Sequence, residues 1–174
     1  MTQVIVRGIN FFTAFTPIEP LKPIILIEGL FGSGKSYLAR QFKHQGSRTI
    51  LLDDFLPDQF GELSRWISSV VDGGCATEIR SAISSSDSVV VEGAAAVPVI
   101  EKVLPSLDED RVTKIYVKQM SNSGGVISWI EGEMLHADLP EAAQLSDVRS
   151  YHRDQKPWTT ANIIFERLPP ENTE

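Results

Sequence analysis

Residues Ile24-Ile25-Leu26-Ile27-Glu28-Gly29-Leu30-Phe31-Gly32-Ser33-Gly34-Lys35-Ser36 decide the reading of this chain. The apolar run Ile24 to Ile27 is continuous, as in a parallel strand buried on both faces, and Gly29-x4-Gly34-Lys35-Ser36 follows it as a glycine-rich turn that opens a helix. Such a turn leaves backbone N–H groups free to converge on phosphate oxygens, and the helix behind it adds the positive end of its dipole. Gly29, Gly32, Ser33 and Gly34 in the turn, with Lys35, Ser36 and Tyr37 in the first helical residues, are the candidate nucleotide-binding positions. Lys35 is expected to reach the β- and γ-phosphates, and the Ser36 hydroxyl to ligate the Mg²⁺ that bridges them, because this hard ion takes oxygen ligands. A dinucleotide fingerprint fails, since the third glycine of G-x-G-x-x-G would fall at Tyr37.

Composition narrows the partners. The 174 residues suit one domain with a full core, with 42% hydrophobic against 22% charged residues. A net charge of −7 without a dense Lys/Arg cluster argues against a nucleic-acid partner and favours a small ligand that brings its own cation. The single cysteine, Cys75, has no internal disulfide partner and reads as an unpaired thiol of a reducing compartment. No apolar run approaches the roughly 20 residues of a membrane span. The patch Ile9 to Phe15 is interrupted by Asn10 and Thr13 and lacks a small-residue cleavage site, so a cytoplasmic protein is expected.

Working outward from the turn, residues 1–22 read as an N-terminal extension lying over the domain, with an edge strand through Val4-Ile5-Val6. The domain itself is expected over 23–168. A helix from about Gly34 to Gln45 stops at Gly46, and Thr49 to Leu52 forms a second strand. Leu63, Trp66, Ile67, Val70 and Val71 have the spacing of a helix with one buried face, ended by Asp72-Gly73-Gly74. A shorter helix through Ile79, Ala82 and Ile83 leads to a third strand, Ser88 to Val91. A helix starting near Pro98 leads to a fourth, Lys114 to Val117. Residues 119–144, opened by Ser121-Asn122-Ser123-Gly124-Gly125, read as an irregular flap. A helix over about 142–154 and a fifth strand over 161–165 complete the domain, and 169–174 form a frayed tail. Strands alternating with helices predict a three-layer α/β fold, a five-stranded parallel sheet with helices on both faces.

Ligands of such sheets bind beyond the carboxyl ends of the strands. The second strand ends in Asp53-Asp54 and the third in Glu92-Gly93, and acids placed there can hold Mg²⁺ or accept a proton from an attacking hydroxyl. Gly29-x4-Gly34-Lys35-Ser36, Leu52-Asp53-Asp54-Phe55 and Val90-Val91-Glu92-Gly93 together resemble the uridine kinase and nicotinamide riboside kinase branch of the P-loop kinases. The segment Tyr151-His152-Arg153-x3-Pro157-x3-Ala161-Asn162-Ile163-Ile164 is similar to the closing helix, base loop and last strand of that branch. The resemblance implies the P-loop NTPase fold, ATP with Mg²⁺ as cofactor, and a small-molecule substrate. It implies Asp53 as the residue that orients and deprotonates the substrate hydroxyl, Glu92 as the holder of a substrate hydroxyl or a Mg²⁺-bound water, and Asp54 as a supporting or capping residue. From the residues themselves, the split between Asp53 and Glu92 stays open.

Transfer also needs positive charge on the migrating group. The lids of the family carry several arginines, whereas residues 119–144 contain no arginine or lysine. Arg149 and Arg153 stand one helical turn apart and are candidates for phosphate contact, or else surface partners of Asp147 and Asp154, with Lys118 as a third option. His44, His136 and His152 lack metal spacing and read as surface or helix-end residues. Trp66 reads as core, Trp129 as a plane for a base or apolar substrate, and Trp158, by the resemblance, as part of the adenine pocket, with plain packing as its alternative.

The expectation is an ATP-dependent phosphotransferase acting on a hydroxyl of a small molecule, with no nucleic-acid or membrane partner. Its first rival is a regulatory P-loop NTPase without an acceptor. Neither an Asp-x-x-Gly after the third strand nor an Asn-Lys-x-Asp signature supports a GTPase switch. A second rival is an assembly domain using Phe11, Phe12 and Phe15 as an exposed patch, which would serve equally as a homodimer contact.

Overall fold

The computed structural model describes residues 3–15, 21–55, 63–123, 126–130, 132, 135 and 143–169, with the side chains of 66, 122, 123 and 143–146 outside that description. Its elements are β1 (Val4–Gly8), α1 (Phe11–Ala14), β2 (Ile24–Glu28), α2 (Lys35–His44), β3 (Arg48–Leu51), α3 (Leu63–Val70), α4 (Ala76–Ser85), β4 (Val89–Glu92), α5 (Ala96–Val103), β5 (Val112–Ser123), β6 (Val126–Trp129), α6 (Ala143–Gln155) and β7 (Ile163–Arg167). The strands form one sheet in the order β1-β7-β5-β2-β4-β3, parallel throughout, with β6 added antiparallel to β5. The five expected strands are β2, β3, β4, β5 and β7. The sheet is wider than five because Val4–Gly8 pairs with β7 as a sixth parallel strand and β6 forms a hairpin with β5.

Alternation along the strands sorts the core into two layers. Ile24, Leu26, Val89, Val91 and Val112 face α3, α4 and α5 with Val70, Ile79, Val99 and Ile100. Ile25, Ile27, Val90, Ile115, Ile163 and Phe165 face the other way, against Phe11 of α1 and Leu38, Ala39 and Phe42 of α2. Buried on both faces, β2 and β4 carry side chains that are all inaccessible. Asp72-Gly73-Gly74 ends the helix of α3 as expected, because Gly74 leaves the helical region for a left-handed one. Gly74 takes φ 97°, which kinks the chain between the two helices, and α4 follows directly.

The aromatic patch of the N-terminal extension is not exposed. Phe11 is fully buried, 5.7 Å from the Phe42 ring and 5.4 Å edge-on to Phe165, and Phe12 and Phe15 pack partly buried around it. The short α1 is held by Asn10, whose Oδ1 accepts the Phe12 N–H at 3.0 Å, and by Gln41, whose Oε1 accepts the Phe11 N–H at 3.2 Å. Burial overrides local polarity here, because β7 leaves its α2-facing side open for a ring once β1 extends the sheet. The assembly reading loses the feature that supported it. Phe11→Ala is expected to destabilise the protein by about 3–5 kcal/mol, the usual cost of a buried phenylalanine, measured by urea unfolding. A loss below about 1 kcal/mol would place the extension outside the folding unit.

The flap is only partly irregular. Residues 119–123 continue β5, and Met120, Ser121, Asn122 and Ser123 pair with Trp129, Ser128, Ile127 and Val126. Most of the rest of the flap, including His136, lies outside the described residues, as does the tail beyond Pro169. No helix among the described residues is long and apolar enough to cross a membrane.

Candidate functional site

The turn between β2 and α2 is built as the spacing requires. Gly32 and Gly34 take φ 79° and 96°, a region that costs glycine nothing, and α2 starts without a side-chain cap on its first N–H groups. Ser33 is fully buried in the turn, and its hydroxyl has no partner among the described residues. Lys35 is buried, with Nζ donating to the Leu30 carbonyl at 3.0 Å and lying 5.8 Å from the Phe31 ring. The ammonium therefore lies at the loop itself, where a phosphate would meet it.

Parallel pairing brings the acids to this turn. Glu92 is the register partner of both Ile27 on β2 and Leu51 on β3, so it stands beside the start of the loop, and its β3 partner lies two residues before Asp53. Its Oε2 accepts the Ser36 hydroxyl at 3.3 Å, while Oε1 is buried with no partner among the described residues. Burial pushes the Glu92 carboxyl above its ordinary range; Lys35 opposes that rise and Asp53 adds to it, which ties all three groups to one electrostatic site. Asp53 and Asp54 sit exposed on a 3₁₀ turn, Leu52–Phe55, directly after β3.

These donors suit Mg²⁺. Among the described residues no three carboxylate, imidazole or thiol groups converge into a closed metal site. The Ser36 hydroxyl, the orphaned Glu92 oxygen and nearby Asp53 instead form an open set of hard oxygens, which fits an ion that arrives on phosphates and keeps several waters.

The cation candidates on α6 part company. Arg153 is exposed and bonds Asp154 at 2.9 Å, whereas Asp147 accepts the Leu63 N–H at 2.9 Å and so caps α3 rather than pairing with an arginine. Arg149 is half-buried. Lys118 lies 4.5 Å over the Trp129 ring. Trp158 packs edge-on against Trp129 at 5.1 Å and Tyr116 at 5.6 Å, an aromatic cluster beside Leu30, Ala94 and Val148. The Trp66 side chain lies outside the described residues.

His152 is a buried structural residue and not a surface one. Its Nε2–H donates to the Ala94 carbonyl, which can only accept, and its Nδ1 then accepts the Tyr116 hydroxyl, both at 2.8 Å. Burial holds its pKa down to about 4. His44 is exposed. Two further residues matter that the sequence reading misses. Glu28, the last residue of β2, is buried, with Oε1 accepting the Val97 N–H at 2.8 Å and the Tyr151 hydroxyl at 3.2 Å, and burial raises its pKa to about 7. Arg167, at the end of β7, lies against Gly34 and Tyr37. Glu28 carries a signal, a carboxylate at the end of a wholly apolar strand, but Arg167 needs the strand order before it means anything.

The architecture is a three-layer α/β fold: a parallel sheet between two helical layers, with the glycine-rich turn joining β2 to α2. No family model matches the chain, and no curated protein does. Solved structures similar to it include a shikimate kinase from Bacteroides thetaiotaomicron, 15% identical over 83% of this chain and 85% of that one, with a TM-score of 0.45. A possible uridine kinase from Bacillus stearothermophilus is 14% identical over 89% and 93%, with a TM-score of 0.45. A gluconokinase from Sinorhizobium meliloti 1021 is 15% identical over 84% and 83%, with a TM-score of 0.43. At such values no substrate or residue role passes from them to this chain.

Proposed function

We propose that this protein is an ATP-dependent kinase that moves the γ-phosphoryl group to a hydroxyl of a small molecule. The observation that carries the reading is the buried Glu92 carboxylate. It lies on the Ser36 hydroxyl with one oxygen unpartnered among the described residues, beside an uncapped phosphate turn and the buried Lys35. A carboxylate held there at the cost of its own desolvation makes sense where a cation or a substrate hydroxyl meets it.

The backbone N–H groups of residues 32–36 and the Lys35 ammonium bind the phosphates and take up charge as the bond to the leaving oxygen breaks. Ser36 and Glu92 would hold Mg²⁺, directly or through a bound water, and the ion when bound would neutralise charge on the phosphate oxygens. Asp53 is the base. It accepts the hydroxyl proton as the acceptor oxygen bonds to the γ-phosphorus, and ADP leaves. Its exposed turn lets it return that proton to solvent, which the buried Glu92 does less readily.

The flap, free of arginine and lysine, favours a second reading: a P-loop protein that binds or slowly hydrolyses nucleotide as a regulatory switch. The two separate in one assay. The protein is incubated with ATP and Mg²⁺ against a panel of nucleosides, vitamins, sugars and amino alcohols, and ADP release is followed. Turnover that depends on the panel member supports the kinase, and a slow constant rate supports the switch.

A further inference from the structure

The sheet order gives the phosphate turn two different flanks. On one side of β2 lie β4 and β3, with Glu92 and the Asp53 turn. On the other, beyond β5, lies the end of β7. Strand alternation puts Ile163, Phe165 and Arg167 on the α2 side of the sheet. The first two enter the core with Leu38 and Phe42, and Arg167, one step past the core, meets the first turn of α2. Its guanidinium carbon stands 5.4 Å from the Tyr37 ring centre. A Cβ added to Gly34 would come within 2.4 Å of Nη1 and 2.8 Å of Cδ, so the absence of a side chain at Gly34 is what admits this arginine to the turn. The neighbouring acid, Glu166, bonds Arg7 at 2.7 Å, and among the described residues no carboxylate forms an ion pair with Arg167. The fully buried Ser33 hydroxyl in the same turn also keeps an unmatched polar atom.

We propose that Arg167 is a nucleotide-contacting residue whose guanidinium, propped on Tyr37 over the start of α2, binds the α-phosphate end of a nucleoside triphosphate. The inference rests on the reading above, that a triphosphate lies in this turn with its γ end at Asp53 and Glu92. The acceptor hydroxyl loses its proton at those acids, so the opposite end of the phosphate chain, which bears the nucleoside, runs toward β7. The site thereby draws a planar cation from its last strand, while the flap offers none. The α-phosphate keeps its charge through the reaction, so Arg167 stabilises ground and transition states alike and acts on KM rather than kcat.

The test is calorimetric titration of wild type, R167A and R167K with ATP and ADP in the presence of Mg²⁺, alongside turnover at saturating ATP. R167A is expected to bind both nucleotides about 10- to 100-fold more weakly, as for loss of one charge-assisted contact. R167K is expected to recover part of that loss, and kcat to change less than about threefold. R167Q, which keeps most of the stem on Tyr37 but not the charge, takes the place of R167A if the alanine variant does not fold. Wild-type uptake with undiminished uptake by the folded variant overturns this inference alone, and a fall in kcat at constant KM overturns the α-phosphate assignment. No uptake by wild type overturns the nucleotide reading and this inference with it.

Discussion

Asp53→Asn is expected to lower turnover by about 10²-fold or more, the usual value of a positioned base, while leaving MgATP affinity nearly intact. The side chain is exposed on its 3₁₀ turn, so the substitution is expected to remove a proton acceptor at little cost to folding. Glu92→Gln should behave differently. Its carboxylate touches Ser36 and is coupled to Lys35, so the amide is expected to weaken MgATP binding as well as turnover. Steady-state kinetics and calorimetry on both variants separate the roles. Unchanged turnover in Asp53→Asn would move the base to Glu92 or Asp54.

The second large effect lies in the pH dependence of stability. The Glu28 pKa rises from 4.5 to about 7 on folding, so between those values the native state holds a proton that the unfolded chain has lost, and stability falls as pH rises. The His152 pKa falls from 6.5 to about 4, so stability is lost as pH falls through that window. Between pH 4.5 and 6.5 the two slopes oppose each other, and the wild-type contribution from this pair is nearly flat. Glu28→Gln keeps a carbonyl for the Val97 N–H and removes one slope. It is expected to gain on the order of 3 kcal/mol over wild type above pH 7, with a stability curve that rises from pH 4 to 6.5 as the His152 contribution is unmasked. Urea unfolding at pH 4.5, 5.5, 6.5 and 8 reads this directly. Parallel curves for the two proteins would mean that Glu28 is not the proton-holding group.

Both groups hold the base of the site rather than its chemistry. Glu28 joins the end of β2 to the first turn of α5 and to Tyr151 of α6, and His152 joins α6 to Ala94, two residues beyond Glu92. The strand that enters the phosphate turn and the loop that follows Glu92 are thus tied to the same helix.

What the sequence made legible was local. The glycine-rich turn, the strands β2 to β5 and the buried stripe of α5 each announce themselves within a short window, and the strand-end positions of Asp53 and Glu92 follow from them. What it hid depends on neighbours distant in the chain. Phe11 reads as exposed because Asn10 and Thr13 flank it, yet Phe42 and Phe165 close over it. His152 reads as a surface or helix-end residue, and it does lie in the last turn of α6, but nothing nearby in sequence shows that Tyr116 and Ala94 wait at its two nitrogens and bury it. Arg167 gains meaning only when β7 is placed two strands from β2. The β5–β6 hairpin did carry a local signal: Gly124-Gly125 lies between paired Ser123 and Val126, the composition of a two-residue turn, masked by polar residues in the strand before it.

The central claim is that a nucleoside triphosphate seats in the turn around Gly32 and Lys35. Isothermal titration of the folded protein with ATP and Mg²⁺ tests it most directly. One-to-one uptake that is lost in Lys35→Ala is the predicted result. Absence of heat with any purine triphosphate, in protein shown to be folded, would contradict it.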